Sequence, residues 1–343
     1  MAQPVLNDTL SARAPTATGE LSLVRRVVRN MAVVDWIGFV YFGILASALL
    51  ATRNANCWGS LKDVCIDWAM LAVMLVLVRG EVIRGVAASA LFRVGICVPI
   101  VLSYFQLRWI LPAVTSKSLD PEIYAFDLRV FHYEPSVAWD KYVTHGTVEW
   151  FAFFYFGYFV IVACNVLPFL ALGGDGKLLR HFGTGLVAQF CFTHLLYMVV
   201  PGFGPYHELR FEHELHGGMF WALVLHSVHS AGALKDIFPS LHTGAPTFFA
   251  IFAFVHRKKF PFRYAWPILA FCALQIIGAT MFLRWHYLVD IVAGASLATF
   301  NVLFWGRVVD WELGRRQQTG LPGIWGPAPL PGFVDRVIAR RAR

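Results

Sequence analysis

Charge is scarce in this sequence. Only 15% of its 343 residues are Asp, Glu, Lys or Arg, against 57% hydrophobic, and a water-soluble domain of that length could not hide so much apolar surface in one core. The net charge of +8 is dispersed over many loops rather than gathered in one stripe, which excludes nucleic acid as a partner. No linker, second soluble domain or repeat of fixed period is present. The first apolar run lacks a small-residue cleavage site and reads as a retained anchor. Cysteine is sparse: Cys97, Cys164, Cys191 and Cys272 fall inside apolar runs and read as small buried hydrophobes. Cys57 and Cys65 stand in what reads as the first outward loop, where an oxidising compartment could join them. His213-Glu214-Leu215-His216 lacks the His-Glu-x-x-His spacing of a helical zinc site, so neither a metal nor any other cofactor is expected.

What the chain has is apolar length. Crossing a bilayer takes about 20 apolar residues, and six runs approach that: Trp36–Thr52, Val94–Leu111, Trp150–Leu172, Phe182–Val200, Tyr264–Leu283 and Tyr287–Trp305. Two shorter runs, Trp68–Val78 and His242–Val255, complete an all-α polytopic membrane bundle of about eight helices. The organisation expected is a basic arm over 1–30, two helices over 31–85, a helical core over 86–310 and a basic Pro-rich surface tail over 311–343. With eight crossings, the arm, Arg79, Arg84, Lys177, Arg180, Arg257, Lys258, Lys259, Arg263 and the tail share one side. The excess of Lys and Arg marks that side as cytoplasmic, and the compact chain suggests a bacterial inner membrane. The larger segments 113–149 and 201–241 then face the periplasm or exterior.

Ionisable groups at a membrane are costly and need a partner or a task. Phe238-Pro239-Ser240-Leu241-His242-Thr243-Gly244 opens one apolar run, and a helix start with Pro and Ser presents free N–H groups and a positive dipole end to an anion. Arg284-Trp285-His286-Tyr287-Leu288-Val289-Asp290 opens the last run. His286 and Asp290, at i and i+4, share a helix face on which the carboxylate can orient the imidazole as a nucleophile. One helix down and one back up bring His242 and His286 to the same outer side. Intramembrane His and Asp also occur in proton-coupled transporters, which place such groups at mid-bilayer in several helices; here they cluster at helix ends.

These two motifs resemble the second and third signature motifs of the type 2 phosphatidic-acid phosphatase superfamily. With Leu119-Asp120-Pro121 to Phe126-Asp127 and Phe131 to Glu134-Pro135-Ser136, they look most like its inositol phosphorylceramide synthase branch and bacterial relatives. The resemblance implies a six-helix core in the last six spans and a His286–His242–Asp290 triad. The usual first-motif Lys and Arg-Pro and the Ser-Arg pair before the third-motif histidine are not present: their places read Pro201 to Arg210 and Ala279-Thr280. This departure favours transfer from a phosphodiester lipid over hydrolysis of a phosphomonoester. Ser240, Arg284, Lys235, Arg210, Tyr206 and His207 are the expected phosphate-binding residues. The expected partners are a phospholipid donor, a lipid alcohol acceptor or water, and the bilayer. Hydrolysis of a lipid phosphate or polyprenyl pyrophosphate is the alternative reaction.

Overall fold

The computed structural model describes residues 22–52, 57–172, 176–231 and 233–329; the rest of the expected arm and tail, 1–21 and 330–343, lies outside the described residues. A long apolar run deprived of water must pair its own backbone groups, and the helix does this locally. In chain order the helices are α1 (Leu23–Asn30), α2 (Val33–Ala51), α3 (Cys57–Arg79), α4 (Gly85–Val114), α5 (Asp120–Phe131), α6 (Pro135–Ala138), α7 (His145–Leu172), α8 (Lys177–Val199), α9 (Pro205–Glu208), α10 (Met219–Ala231), α11 (Leu241–Val255), α12 (Phe262–Phe282) and α13 (Leu288–Thr319). Six of these, α2, α4, α7, α8, α12 and α13, are long and apolar enough to cross a membrane.

Two further helices run the length of the bundle. α3 has 23 residues but carries Lys62, Asp63 and Asp67, and α11 has only 15. Contacts at one end fix the direction of each pass. Asn30 Nδ2 donates to the Arg79 carbonyl (2.8 Å), and Arg79 pairs with Asp35 (2.6 Å). Arg93 donates to the Phe169 carbonyl (3.0 Å), His181 pairs with Asp310 (2.7 Å), and Arg316 donates to the Asn30 carbonyl (2.9 Å). The start of α2, end of α3, start of α4, end of α7, start of α8 and end of α13 therefore meet at one end. α11 leads away from the other end and α12 returns to it, giving eight alternating passes.

Two expectations change. Cys57 and Cys65 are both free and lie on α3, where eight residues of helical rise separate them by about 12 Å, beyond disulfide reach. The segment after Trp311 is not a surface tail throughout: α13 continues to Thr319, and Ile324 and Trp325 are each only 2% exposed. Trp325 packs on Phe92 (ring centroids 4.9 Å). Its carbonyl accepts from Ser89 Oγ (2.7 Å), while the Ile324 carbonyl accepts from Arg79 (2.9 Å). Sequence periodicity does not register a turn that docks through backbone carbonyls and one indole.

The opposite end carries α5, α6, α9 and α10, and carboxylates hold this cap together by accepting backbone N–H groups. Asp120 accepts from Phe203 and Gly204 (both 2.8 Å). Glu149 accepts from Gly218 (2.8 Å), Phe220 (2.7 Å) and Trp221 (3.1 Å) at the start of α10. Asp127 accepts from Leu288 (2.7 Å) and Val289 (3.0 Å), so it caps α13 and fixes the helix that carries the third-motif residues. Arg108 reaches α10 from α4, donating to the His229 carbonyl (2.5 Å).

Candidate active site

The start of α11 is built by Ser240. Its Oγ accepts from the Thr243 N–H (3.2 Å), its carbonyl accepts from Gly244 (2.8 Å), and its own N–H donates to the Asp290 carbonyl (3.0 Å). One residue thus caps α11 and binds it to α13. The crossing is tight enough to require glycine: a Cβ at Gly294 would stand 2.4 Å from the Ser240 carbonyl oxygen. Ser240 is fully buried with its hydroxyl engaged, so the structure gives it the capping position for His242.

His242 projects from the first turn of α11 between two tyrosines of α7. Its ring stacks on Tyr155 (4.4 Å, 13°) and lies 4.2 Å from Tyr158, which fixes the imidazole plane. His286 sits in the short connection from α12 to α13. Arg284, at a left-handed φ of 67°, turns the chain there, while the Trp285 and His286 N–H groups return to the Thr280 carbonyl (2.9 and 3.3 Å). His286 Nδ1 lies 3.4 Å from Asp290 Oδ2, an ion-pair distance that falls short of a formed hydrogen bond. The Asp290 oxygen also accepts the Tyr287 N–H (2.9 Å). His242 Nε2 and His286 Nδ1 are buried polar atoms without a hydrogen-bond partner.

Both rings face a cavity of about 290 Å³ that also takes in Tyr104, Asp236, Tyr206 and Trp285 and extends among the apolar side chains of α4, α7 and α8 as far as Cys97 and Val166. Among the described residues, none of those lining it is lysine or arginine. Asp236 was not foreseen. It accepts from Tyr104 Oη (3.1 Å); burial raises its carboxyl above the ordinary range, with His286 opposing. Burial lowers His286 to about 4, against Asp236 and the Ile237 carbonyl, which favour its protonation. At neutral pH His286 is therefore an uncharged imidazole. The signal for Asp236 was available in the sequence, since an acid four residues before Ser240 in an apolar stretch is costly without a function.

The expected phosphate-binding residues divide. Tyr206 lines the cavity, and its N–H donates to the Arg284 carbonyl (2.9 Å). Its loop approaches Trp285 so closely that Gly204, at φ 102°, has no room for a Cβ. His207 stacks on Phe203 (4.5 Å) and Arg210 is exposed; neither lines the cavity. Lys235 spends its donors on the carbonyls of Thr115 (3.2 Å), Ser116 (3.1 Å) and Lys117 (3.2 Å), and burial lowers its pKa. Arg284 pairs with Asp140 (2.6 Å), donates to the His213 carbonyl (2.5 Å) and covers the Phe211 ring. Asp140 is partly desolvated, but hydrogen bonds from His213 and the Glu212 amide, with the Arg284 charge, hold its carboxyl below the ordinary range. Asp140, Glu212 and His213 could gather ligand atoms around a cation, but this group lies in the cap, outside the cavity lining, with Asp140 already engaged by Arg284.

A family model described as the PAP2 superfamily matches residues 121–304, more than half of the chain, spanning the cap, both histidines and Asp290. No curated protein and no solved structure gives a match.

Proposed function

We propose, from the premise that this chain belongs to the PAP2 superfamily, that it transfers the phosphate-headgroup of a phospholipid to a lipid hydroxyl through a phosphohistidine. Membership supports phosphatase or phosphotransferase chemistry on lipid-like substrates. The observation that carries the finer reading is the cavity itself, in which the His242 and His286 rings stand at the polar end of an apolar space whose described lining includes no lysine or arginine. A phosphomonoester would bring up to two negative charges into that space, and buried charge is tolerated only when paired. A phosphodiester brings one, within reach of tyrosine hydroxyls and the first turn of α11.

The lipid route follows from the same lining. Val101 and Phe105 of α4 and Phe159 of α7 line the cavity and are 52%, 48% and 45% exposed. In this reading acyl chains enter sideways from the bilayer, between α4 and α7.

In the mechanism, neutral His286, oriented by Asp290, attacks phosphorus. A P–N bond forms as the bond to the donor's lipid oxygen breaks, and His242 gives that oxygen its proton. The acceptor hydroxyl then enters, His242 takes its proton, and the acceptor oxygen attacks phosphorus as the P–N bond breaks, releasing neutral His286. One group serves as acid and then base. Apo distances such as the 3.4 Å between His286 and Asp290 are expected to tighten when substrate is bound. The basic residues at the end remote from the histidines support a cytoplasmic position for that end and, in this reading, a site that faces outward from a bacterial inner membrane.

The test is mass spectrometry of purified enzyme given labelled phosphatidylinositol with and without a ceramide or diacylglycerol acceptor. A new phosphodiester lipid that needs the acceptor, and is lost in His286→Gln and Asp290→Asn proteins that still insert, is the expected result. Water-soluble phosphate alone, or turnover limited to phosphomonoesters, would replace transfer by hydrolysis.

A further inference from the structure

At the end of the bundle remote from the histidines, the last turn of α1, the start of α2 and the end of α13 enclose a second pocket of about 380 Å³, whose lining includes Arg29, Arg315, Val28, Met31, Trp36 and Leu321. Among the described residues, its lining holds two cations and no acid. The acids nearest in sequence are already engaged: Asp35 pairs with Arg79 (2.6 Å) and Glu312 with Arg316 (3.2 Å). Arg29 and Arg315 are both exposed; Arg315 only rests its guanidinium over the Trp311 ring at 5.3 Å. Two like charges facing one concavity repel each other until an anion enters.

The walls are fixed rather than incidental. Buried Arg316 donates to the Pro322 carbonyl (2.9 Å) and the Asn30 carbonyl (2.9 Å), and its own carbonyl accepts from Leu321 (3.0 Å). The turn after α13 and the end of α1 are thereby held together around the space. An apolar track also leaves it. Trp36 lines the pocket and, with Val40 and Ile44, is 44%, 50% and 43% exposed. At a spacing of four residues these side chains form one stripe along α2, extending about 12 Å toward the bilayer centre.

We infer that this pocket binds an anionic glycerophospholipid of the leaflet facing it, with the phosphodiester between Arg29 and Arg315 and an acyl chain along Trp36, Val40 and Ile44. The double cation selects a headgroup with net negative charge over a zwitterion, whose own ammonium would face the two guanidiniums. The stripe selects a lipid over a soluble phosphate. This site lies at the opposite end of the bundle from the histidines and stands independently of the proposed reaction.

The experiment uses the full-length protein in detergent, with native mass spectrometry and thermal unfolding in dioleoyl phosphatidylglycerol, dioleoyl phosphatidylcholine, or soluble glycerophosphoglycerol. Wild type should retain and be stabilised by phosphatidylglycerol in preference to phosphatidylcholine. Arg29→Gln and Arg315→Gln should each weaken that retention about tenfold, the loss of one charge-assisted contact. Arg25→Gln, exposed on the same short helix but outside the pocket, should leave it unchanged. An equal loss in Arg25→Gln would reduce the effect to diffuse surface charge and overturn the site. Equal retention of both lipids by wild type, or equal stabilisation by the soluble headgroup, would overturn it as well.

Discussion

Gly294→Ala is the substitution through which the geometry of the site can be tested without touching a reacting group. A methyl at this position would stand 2.4 Å from the Ser240 carbonyl oxygen, 3.3 Å from its carbon and 3.4 Å from its nitrogen. All three are backbone atoms, so no side chain can swing aside. Restoring ordinary contact requires α11 and α13 to separate by about 1 Å, at a typical overpacking cost of about 1–3 kcal/mol. The helices that part are α11, which carries His242, and α13, which carries Asp290 and begins two residues after His286, and they part at the hydrogen bond between Ser240 N–H and the Asp290 carbonyl (3.0 Å). Misplacement on that scale can cost about 100-fold in turnover. The assay is acceptor-dependent lipid turnover alongside thermal unfolding, with Gly314→Ala as control, because a Cβ there meets nothing within 4 Å. The control should keep full activity with equal or higher stability. Wild-type turnover in a folded Gly294→Ala protein would refute the view that the α11–α13 crossing sets the distance between the histidines.

Other consequences are as direct. Because burial lowers His286 to about 4, the neutral form that the proposed attack requires persists on acidification, and kcat/KM should fall only as the pH approaches that value; a single acid limb centred at an ordinary histidine pKa would contradict this. Asp140→Asn leaves Arg284 buried without its partner and should destabilise the fold by about 3–5 kcal/mol at neutral pH. Since the Asp140 pKa is depressed in the folded protein, its contribution is present above the ordinary carboxylate pKa and is lost as pH falls through the depressed value. The gap in midpoint between wild type and Asp140→Asn should therefore close in acid, and a pH-independent gap would rule out the ion pair as its cause. Trp325→Ala should cost about 3–5 kcal/mol in thermal unfolding, and an unchanged midpoint would return that segment to the surface.

Sequence reasoning found the helices because bilayer length and apolarity leave few alternatives. The six long spans were legible on that ground. α3, with Lys62, Asp63 and Asp67, was only half visible: its interior showed as Trp68–Val78, while its charged first turns looked like a loop. Asp67 can enter the bundle because Gln106 on α4 donates to it (2.7 Å), and a hydropathy profile cannot foresee a partner that far along the chain. The two histidine motifs were legible because their spacing is local. Arg284 and Lys235 were assigned to phosphate from proximity to those motifs, yet Asp140 and a run of carbonyls engage them, through contacts that close only when segments 115–117 and 140 fold back. Tyr155 and Tyr158 stayed hidden in an aromatic run, Phe151 to Phe159, where nothing local separates ring-stacking tyrosines from lipid-facing phenylalanines.

The aromatic clamp around His242 bears on what kind of acid this residue can be. A histidine that shuttles protons usually relies on a carboxylate to balance its transient charge; here the faces of its ring meet Tyr155 and Tyr158 at 4.4 and 4.2 Å. An imidazolium between two phenol rings is met by their negative π faces, an attraction worth about 2 kcal/mol when desolvated. That attraction needs no second ionised group beside the phosphate, whose own negative charge a carboxylate would repel. In the proposed reaction, His242 would thus draw its counter-charge from electron clouds that stay neutral throughout the cycle.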